Sequence, residues 1–436
     1  MRKIIYFLAI IAAAVSYTSC TSEVDDAFDK QASVRVEEGM KEFKKILASA
    51  PNGWAMHYYG NTNFGGYNLL CKFTEDNSVT VANEFFDDDK TATTHYKVEQ
   101  SAGIVLSFDT YCELIHFFSD PINPQGFGSA GEGFGGDMEF RVLSMSNEKI
   151  MLQGKKTGAR IAMTPLADNV KWADYLKKVH EVENDMYSMV YDITDGENTM
   201  RMRRSMRCFT YTVTEDEQTI KKQMPYTITP DGIEFYEDLE LGEKTINKFA
   251  YKAASDSYTE ANNPGVTMSK VVLNPNDLFV SGVWYVKYSE LGKLAKTSWN
   301  SMRKGLDSTY GYKLIMACFG VYSTDFGFYF APGNDEEGYF LSELKFDYTL
   351  EGEDKVTMWF TGEGDLLGNG IDFYNDEDSG VKKALSPFGS DENHKRTFTV
   401  TTDDLKRPTY VELADDSNSK NVIRLFADEV RFPFDE

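Results

Sequence analysis

The sequence predicts a mainly β (α+β) protein of antiparallel barrel- or sandwich-like units, each preceded by a helix. Three observations carry this. Short apolar runs with period-two alternation recur along the chain, bounded by Asp, Asn and Gly clusters. Three stretches have helical spacing instead, and strands follow each one. The helix-then-strands pattern returns after about 120–130 residues, which suggests a repeat. The 436 residues are enough for two or three cores.

Met1–Ser19 reads as a lipoprotein signal peptide. Arg2 and Lys3 precede an apolar run, Ile4–Val15, too short to span a bilayer, and Ser16-Tyr17-Thr18-Ser19-Cys20 is a relaxed lipobox. Cleavage before Cys20 with lipidation of its sulfur is the expectation, which makes the membrane a partner through the N-terminal lipid. Residues 20–32 read as a tether, with Glu23, Asp25 and Asp26 just after the cysteine.

Residues 33–167 read as a helix plus the first β domain. Val36, Met40, Phe43 and Leu47 give a helix over 33–49, and Pro51-Asn52-Gly53 stops it. Strands follow at Trp54–Tyr59, Tyr67–Phe73, Val79–Ala82, Tyr96–Val98, Ile104–Phe108 and Lys149–Gln153. The stretch Leu106–Val142 is central. Leu106, Phe108 and Tyr111, then Leu114, His116 and Phe118, fit strand spacing up to Asp120-Pro121. Six glycines follow between Gly126 and Gly136, and alternation resumes at Asp137–Val142. This is a hairpin with a long glycine loop, and long loops in compact domains are often functional. No basic residue or following helix supports phosphate binding there.

Residues 168–275 read as a second helix plus a β unit. The helix covers 169–182 with Asp168 as cap, followed by strands at Met206–Val213, Tyr226–Thr229, Ile233–Tyr236 and Ile246–Tyr251. Tyr96-Lys97-Val98 before Gly103-Ile104 is similar to Tyr226-Thr227-Ile228 before Gly232-Ile233, which supports the repeat. Pro264-Gly265 and Asn274-Pro275-Asn276 mark a hinge. Residues 276–436 read as a C-terminal helix, 289–305, plus a β domain whose strands run from Lys313 to Phe426.

Several chemistries lack support. Net charge is −24, about −26 without the signal segment, which argues against nucleic acid and anionic lipid surfaces as partners. His57, His95, His116, His180 and His394 form no H-E-x-x-H or i+4 pair, so no zinc signature exists and no metal or other cofactor is assigned. No G-x-S-x-G elbow occurs. Cys71, Cys112, Cys208 and Cys318 lack C-x-x-C spacing and sit in apolar runs, which predicts buried free thiols, although the export route would permit a disulfide. Asp372–Gly380 offers oxygen ligands without the register of a calcium loop. No residue is assigned a catalytic role. A glycosidase leaves no fixed sequence spacing, so Asp109 and Asp137, flanking the hairpin, are the carboxylates to test against the ordinary reading of turn capping.

Aromatic side chains could form platforms for a sugar ring, or simply core. Trp54, Trp284 and Trp359 are weighed this way, while Tyr58-Tyr59 and Tyr310/Tyr312, beside glycine-rich turns, are expected to be partly exposed. The ligand-binding candidates are Tyr58, Tyr59, Tyr67, Asp109, His116 and Asp137.

A set of motifs also carries a resemblance. Ala50-Pro51-Asn52-Gly53-Trp54, Tyr58-Tyr59, Gly65-Gly66-Tyr67, Leu106–Tyr111, His116–Pro121, Gly135–Phe140 and Leu152-Gln153-Gly154-Lys155-Lys156 together resemble the domain of unknown function 4302 family. Met138 stands where that pattern has phenylalanine. The resemblance covers about residues 30–170 well and the rest loosely. It implies a secreted lipoprotein of Bacteroidota at the outer membrane, surface-exposed given the acidic residues after Cys20, encoded beside transporter and nutrient-capture systems. It implies location, not a reaction. The leading expectation is a non-catalytic binding or accessory component of glycan or peptide uptake, in a transporter complex. The alternatives are a carboxylate-dependent, glycosidase-like hydrolase and a structural subunit docked on an outer-membrane transporter.

Overall fold

Helical spacing of Phe43, Ile46 and Leu47, all buried, forms the first element of the described chain, α1 (Ala32–Ala48). The computed structural model describes residues 32–121, 133–215, 218–322 and 325–435. The signal segment, Cys20, the tether before its last residue and positions 122–132 of the glycine loop lie outside them. Gly53 (φ +81°) ends the helix connection where a Cβ would come within 2.6 Å of the Cys71 carbonyl. Trp54 Nε1 then donates to Leu47 O at 2.8 Å, joining helix to sheet.

The first sheet has the order β4-β3-β2-β1-β9-β8-β7-β6-β5. Its strands are β1 (Trp54–Tyr58), β2 (Tyr67–Phe73), β3 (Ser78–Asn83), β4 (Ala92–His95), β5 (Lys97–Gln100), β6 (Ile104–Ser107), β7 (Glu139–Met145), β8 (Ile150–Gly154) and β9 (Arg160–Pro165). The central hairpin forms, with Leu106 opposite Phe140. One part of it differs from expectation: Glu113–His116 is a helical turn, α2. Three alternating residues fit a strand, but Leu114 and Phe118 are also four apart, and both are fully buried. Strand β9 escaped the sequence reading; its burial alternates at Ile161 and Met163.

Helix α3 (Trp172–Asp185) starts later than expected. Tyr175 N bonds to Lys171 O, so Asp168 lies in the preceding turn and does not cap it. Eight strands then close a barrel: β10 (Val190–Thr194), β11 (Thr199–Ser205), β12 (Cys208–Glu215), β13 (Gln218–Thr229), β14 (Gly232–Leu241), β15 (Lys244–Lys252), β16 (Ser257–Glu260) and β17 (Thr267–Val271). Pairing of Val190 with Val271 through Thr194 with Thr267 seals it. The two similar motifs are both hairpins, β5–β6 and β13–β14, one at a sheet edge and one inside the barrel.

Asn274-Pro275-Asn276 opens a short helix, α4 (Pro275–Ser281), because proline at the first helical position loses no hydrogen bond. The third sheet comprises β18 (Val283–Leu291), β19 (Lys313–Gly320), β20 (Gly327–Asn334), β21 (Gly338–Tyr339), β22 (Ser342–Glu351), β23 (Lys355–Gly364), β24 (Arg396–Thr402), β25 (Tyr410–Asp415) and β26 (Val422–Phe426). Its order is β19-β18-β26-β25-β24-β23-β22-β20-β21, and β19 also pairs with β20, closing the ring. The expected helix at 289–305 is α5 (Lys293–Gly305), and it follows β18 instead of preceding the sheet. Helices α6 (Asn369–Asn375) and α7 (Val381–Leu385) connect β23 to β24. Trp299, Phe319, Phe328 and Phe388 share one core here.

The described chain falls into two compact units. One holds the residues through Thr62 and Tyr67–Leu176; the other holds Asn63–Gly66 and Lys177 onward, and so contains both the barrel and the third sheet. The four cysteines are buried free thiols, and burial pushes the Cys208 thiol up to about 11. No helix among the described residues is long and apolar enough to cross a membrane.

Gly136 tests the close packing of the central stretch. A Cβ there would lie 2.2 Å from the Tyr58 hydroxyl and 2.7 Å from Phe118 O. Gly136→Ala is expected to lower unfolding free energy by about 1–3 kcal/mol in urea titrations, whereas Gly158→Ala, which meets no atom and costs only φ strain, should lose less.

Candidate functional site

Of the six ligand-binding candidates, the structure brings Tyr58 and Asp137 into contact, and both are buried. Tyr58 is fully buried between Phe118 (4.5 Å) and Phe140 (6.0 Å), and its hydroxyl donates to Asp137 O at 2.9 Å. Tyr59 and Tyr67 are also buried, and Tyr67 packs on Phe85 at 4.7 Å. The expected exposure of Tyr58-Tyr59 is therefore corrected: a five-residue strand buried along its whole length leaves neither face for solvent. Trp54 and Trp284 are core too, and Trp359 carries Lys395 over its ring at 3.5 Å.

The polar candidates have structural partners. Asp137 accepts from Lys156 N (2.6 Å), Thr157 N (2.9 Å) and Thr157 Oγ1 (2.7 Å), which pins the β8–β9 turn. His116 Nδ1 bonds back to Cys112, and its ring lies 5.0 Å from exposed Tyr111. Asp109 pairs with His95 Nδ1 at 2.9 Å and with Lys97, and these bonds, His95 first, lower its pKa to about 2. A carboxyl held that low is no general acid near neutral pH.

The third sheet builds an open cleft of about 290 Å³. Helix α5 continues into a wider turn, Leu306–Tyr310, and Gly311 (φ +67°) reverses the chain. Nothing lies near a Cβ at Gly311, so its backbone conformation, not space, requires glycine. Tyr310 and Tyr312 flank it, their rings stacked at 5.5 Å and 20°. Phe373 meets Tyr310 edge-on at 5.5 Å, and Phe340 lies 5.8 Å from Tyr312. Asn369, Asp372 and Asp376 complete the lining.

Two glycines bring these elements together. A Cβ on Gly305 would lie 2.2 Å from Asp378 O, and one on Gly380 2.3 Å from Ser301 O. The end of α5 can therefore touch the 376–380 turn backbone to backbone. Buried Ser379 ties that turn to α6 by donating to Phe373 O, and to α7 by accepting from Val381 N at 3.1 Å. As a result Tyr310 donates its hydroxyl to Asp376, while Tyr312 donates to Glu337 in the β20–β21 turn. The Tyr310 bond, then Asp378 N, holds the Asp376 carboxyl below the usual range. Burial, then Asp376, raises the Tyr310 phenol to about 12.

A second hollow, about 200 Å³, shares Tyr312 and is lined also by Arg303, Lys313 and Phe434. Arg303 stacks over Phe434 at 5.7 Å. Among the described residues, no group of three or more His, Cys, Asp or Glu side chains is set to hold a metal ion. The Asp372–Gly380 segment is the end of α6 and the turn leading into α7.

The sequence signalled Tyr310, Tyr312 and the acidic 372–380 segment separately. It did not signal that they meet, nor that Phe340 and, within the acidic segment, Phe373 join the aromatic lining.

This architecture defines a mainly antiparallel β protein with an aromatic and acidic cleft in its C-terminal sheet. The chain belongs to the family described as Domain of unknown function (DUF4302), whose pattern matches residues 24–253, more than half of its length. The match runs through the first sheet into the barrel, further than the sequence motifs reached, and the cleft lies beyond it. No curated protein matches the sequence. Solved structures similar to the chain include the DNA polymerase III beta chain from Streptococcus pneumoniae, at 11% identity over 91% of this chain and 98% of that one, TM-score 0.13. The beta subunit from Streptococcus pyogenes is similar at 10% identity over 92% and 98%, TM-score 0.14, and that from Pseudomonas aeruginosa at 8% over 91% and 98%, TM-score 0.14.

Asp109 gives a pH test. Its carboxyl falls from about 3.9 in an unfolded chain to about 2 in the fold. Its contribution to stability is therefore present above about pH 4 and is lost as pH falls through 2. Carboxyl-carbon NMR should show Asp109 titrating near 2, and His95→Ala should raise that midpoint.

Proposed function

We propose that the chain is a lipid-anchored cell-surface protein that captures ligand without chemistry, as an accessory component of an outer-membrane system for glycan or peptide uptake. The observation that carries the capture reading is the cleft, with its stacked Tyr310–Tyr312 pair open to solvent beside Asn369, Asp372 and Asp376. Flat rings offer apolar area at low entropic cost, and a few polar groups set orientation. At about 290 Å³ the cleft suits one sugar ring or one side chain, below the usual volume of sites enclosing whole small molecules.

The hydrolase alternative has less behind it. A general acid needs a raised carboxyl pKa, and Asp376 and Asp109 are both lowered. Asp137 spends its oxygens on the β8–β9 turn.

The test is titration of the full-length chain, in mild detergent, with neutral glycans and peptides, with product analysis on the same samples. Binding without turnover is expected, weakened at least tenfold by Tyr312→Ala; turnover would sink the capture reading. Cys20→Ala is expected to abolish incorporation of labelled palmitate and release the chain from membranes. Unchanged labelling would overturn the anchor.

A further inference from the structure

The barrel contains a worked example of how this protein holds a cation. The Lys270 side chain, 3% exposed, places its ammonium 4.5 Å from the centre of the Tyr187 ring and 5.2 Å from that of Tyr251, paired with Asp256. Both tyrosine hydroxyls donate to the same Asp256 carboxylate, at 3.1 Å each. The rings offer their negative faces, and the carboxylate, oriented by the phenols, neutralises the charge.

The cleft repeats these parts with its rings open to solvent. Tyr310 donates to Asp376 as Tyr187 does to Asp256. Tyr312, Phe340 and Phe373 add three rings within 5.5–6.5 Å of one another or of Tyr310, and Asp372 adds a second, exposed carboxylate. Among the described residues the Asp376 carboxylate accepts from Tyr310 and Asp378 N alone, so lone pairs remain for a ligand. Among the described residues no Lys or Arg stands over any of these four rings. The chain's own cations there, Arg303 and Lys313, line the other hollow. The net charge of −24 attracts a cationic partner at long range.

A second feature narrows the ligand. The turn Asp365–Gly368, closed by Gly368 N to Asp365 O at 3.1 Å, carries Leu366 and Leu367 at its tip, 106% and 85% exposed. Asp365 anchors its base by accepting from Asn369 N and Gly370 N, so the tip projects from a fixed frame next to the cleft residue Asn369. Two adjacent leucines where turns usually carry polar residues offer apolar area to a partner. A neutral polysaccharide has neither cation nor apolar side chain; a peptide can have both.

We propose that the cleft is an aromatic cage for a lysine or arginine side chain of an extended peptide, with Leu366 and Leu367 receiving an apolar neighbour. This rests on the capture reading and names its ligand. The test is calorimetric titration of the full-length chain in mild detergent with an end-blocked pentapeptide whose central lysine lies between leucines, against its norleucine analogue. A neutral oligosaccharide panel serves as the third arm. The lysine peptide is expected to bind at least tenfold tighter than the analogue, and weaker as NaCl rises from about 50 to 500 mM. Asp372→Asn should narrow the lysine preference several-fold, and Leu366→Ser with Leu367→Ser should weaken both peptides. Both sites are exposed, so these variants should keep the wild-type melting temperature. Equal affinity for the two peptides, or binding of neutral sugar alone, would overturn the cage and leave capture standing. Silence in all three arms would remove both.

Discussion

Closure of the third sheet through the β19–β20 pairing is the constraint on which the cleft depends. Lys313 pairs with Gly333 and Leu314 with Pro332, so Tyr312, one residue earlier, must lie beside the β20–β21 hairpin. That hairpin supplies Glu337, and the turn after it supplies Phe340, whose N–H bonds to Pro332 O at 2.9 Å. Shifting the register by one residue would turn every side chain of β19 to the other face. Closure also removes free edges, which an exposed β protein must cover or blunt.

Glycine supplies the second requirement at two places. Gly305 and Gly380 let the end of α5 and the 376–380 turn approach closer than any side chain permits. Asp376 reaches Tyr310 through that contact. The cleft is thus held by backbone geometry, while its lining stays available for recognition.

The first sheet shows the opposite use of the same residue types. Tyr58, Tyr67, Phe118 and Phe134 are interlocked, and the Tyr58 hydroxyl is satisfied internally. Aromatic pairs beside glycines occur in both places. In one, Gly136 lets rings bury one another; in the other, Gly311 turns the chain outward and leaves two rings half exposed. Local sequence does not separate these outcomes, because burial depends on which strands arrive from elsewhere.

The sequence by itself determined the β-rich class, the helices at 32–48 and 293–305 to within a few residues, the hairpin that sets Leu106 opposite Phe140 and the family. Those follow from side-chain periodicity and from turn chemistry, both local. Only the tertiary structure decided that Glu113–His116 is helical, that two of the three sheets close into rings, and that Tyr58 and Tyr59 are core. It also brought Tyr310 and Tyr312 to Asp372 and Asp376, some sixty residues away. The physical reason is that period two says which face of a strand is apolar, while strand pairing and backbone approach decide what that face meets.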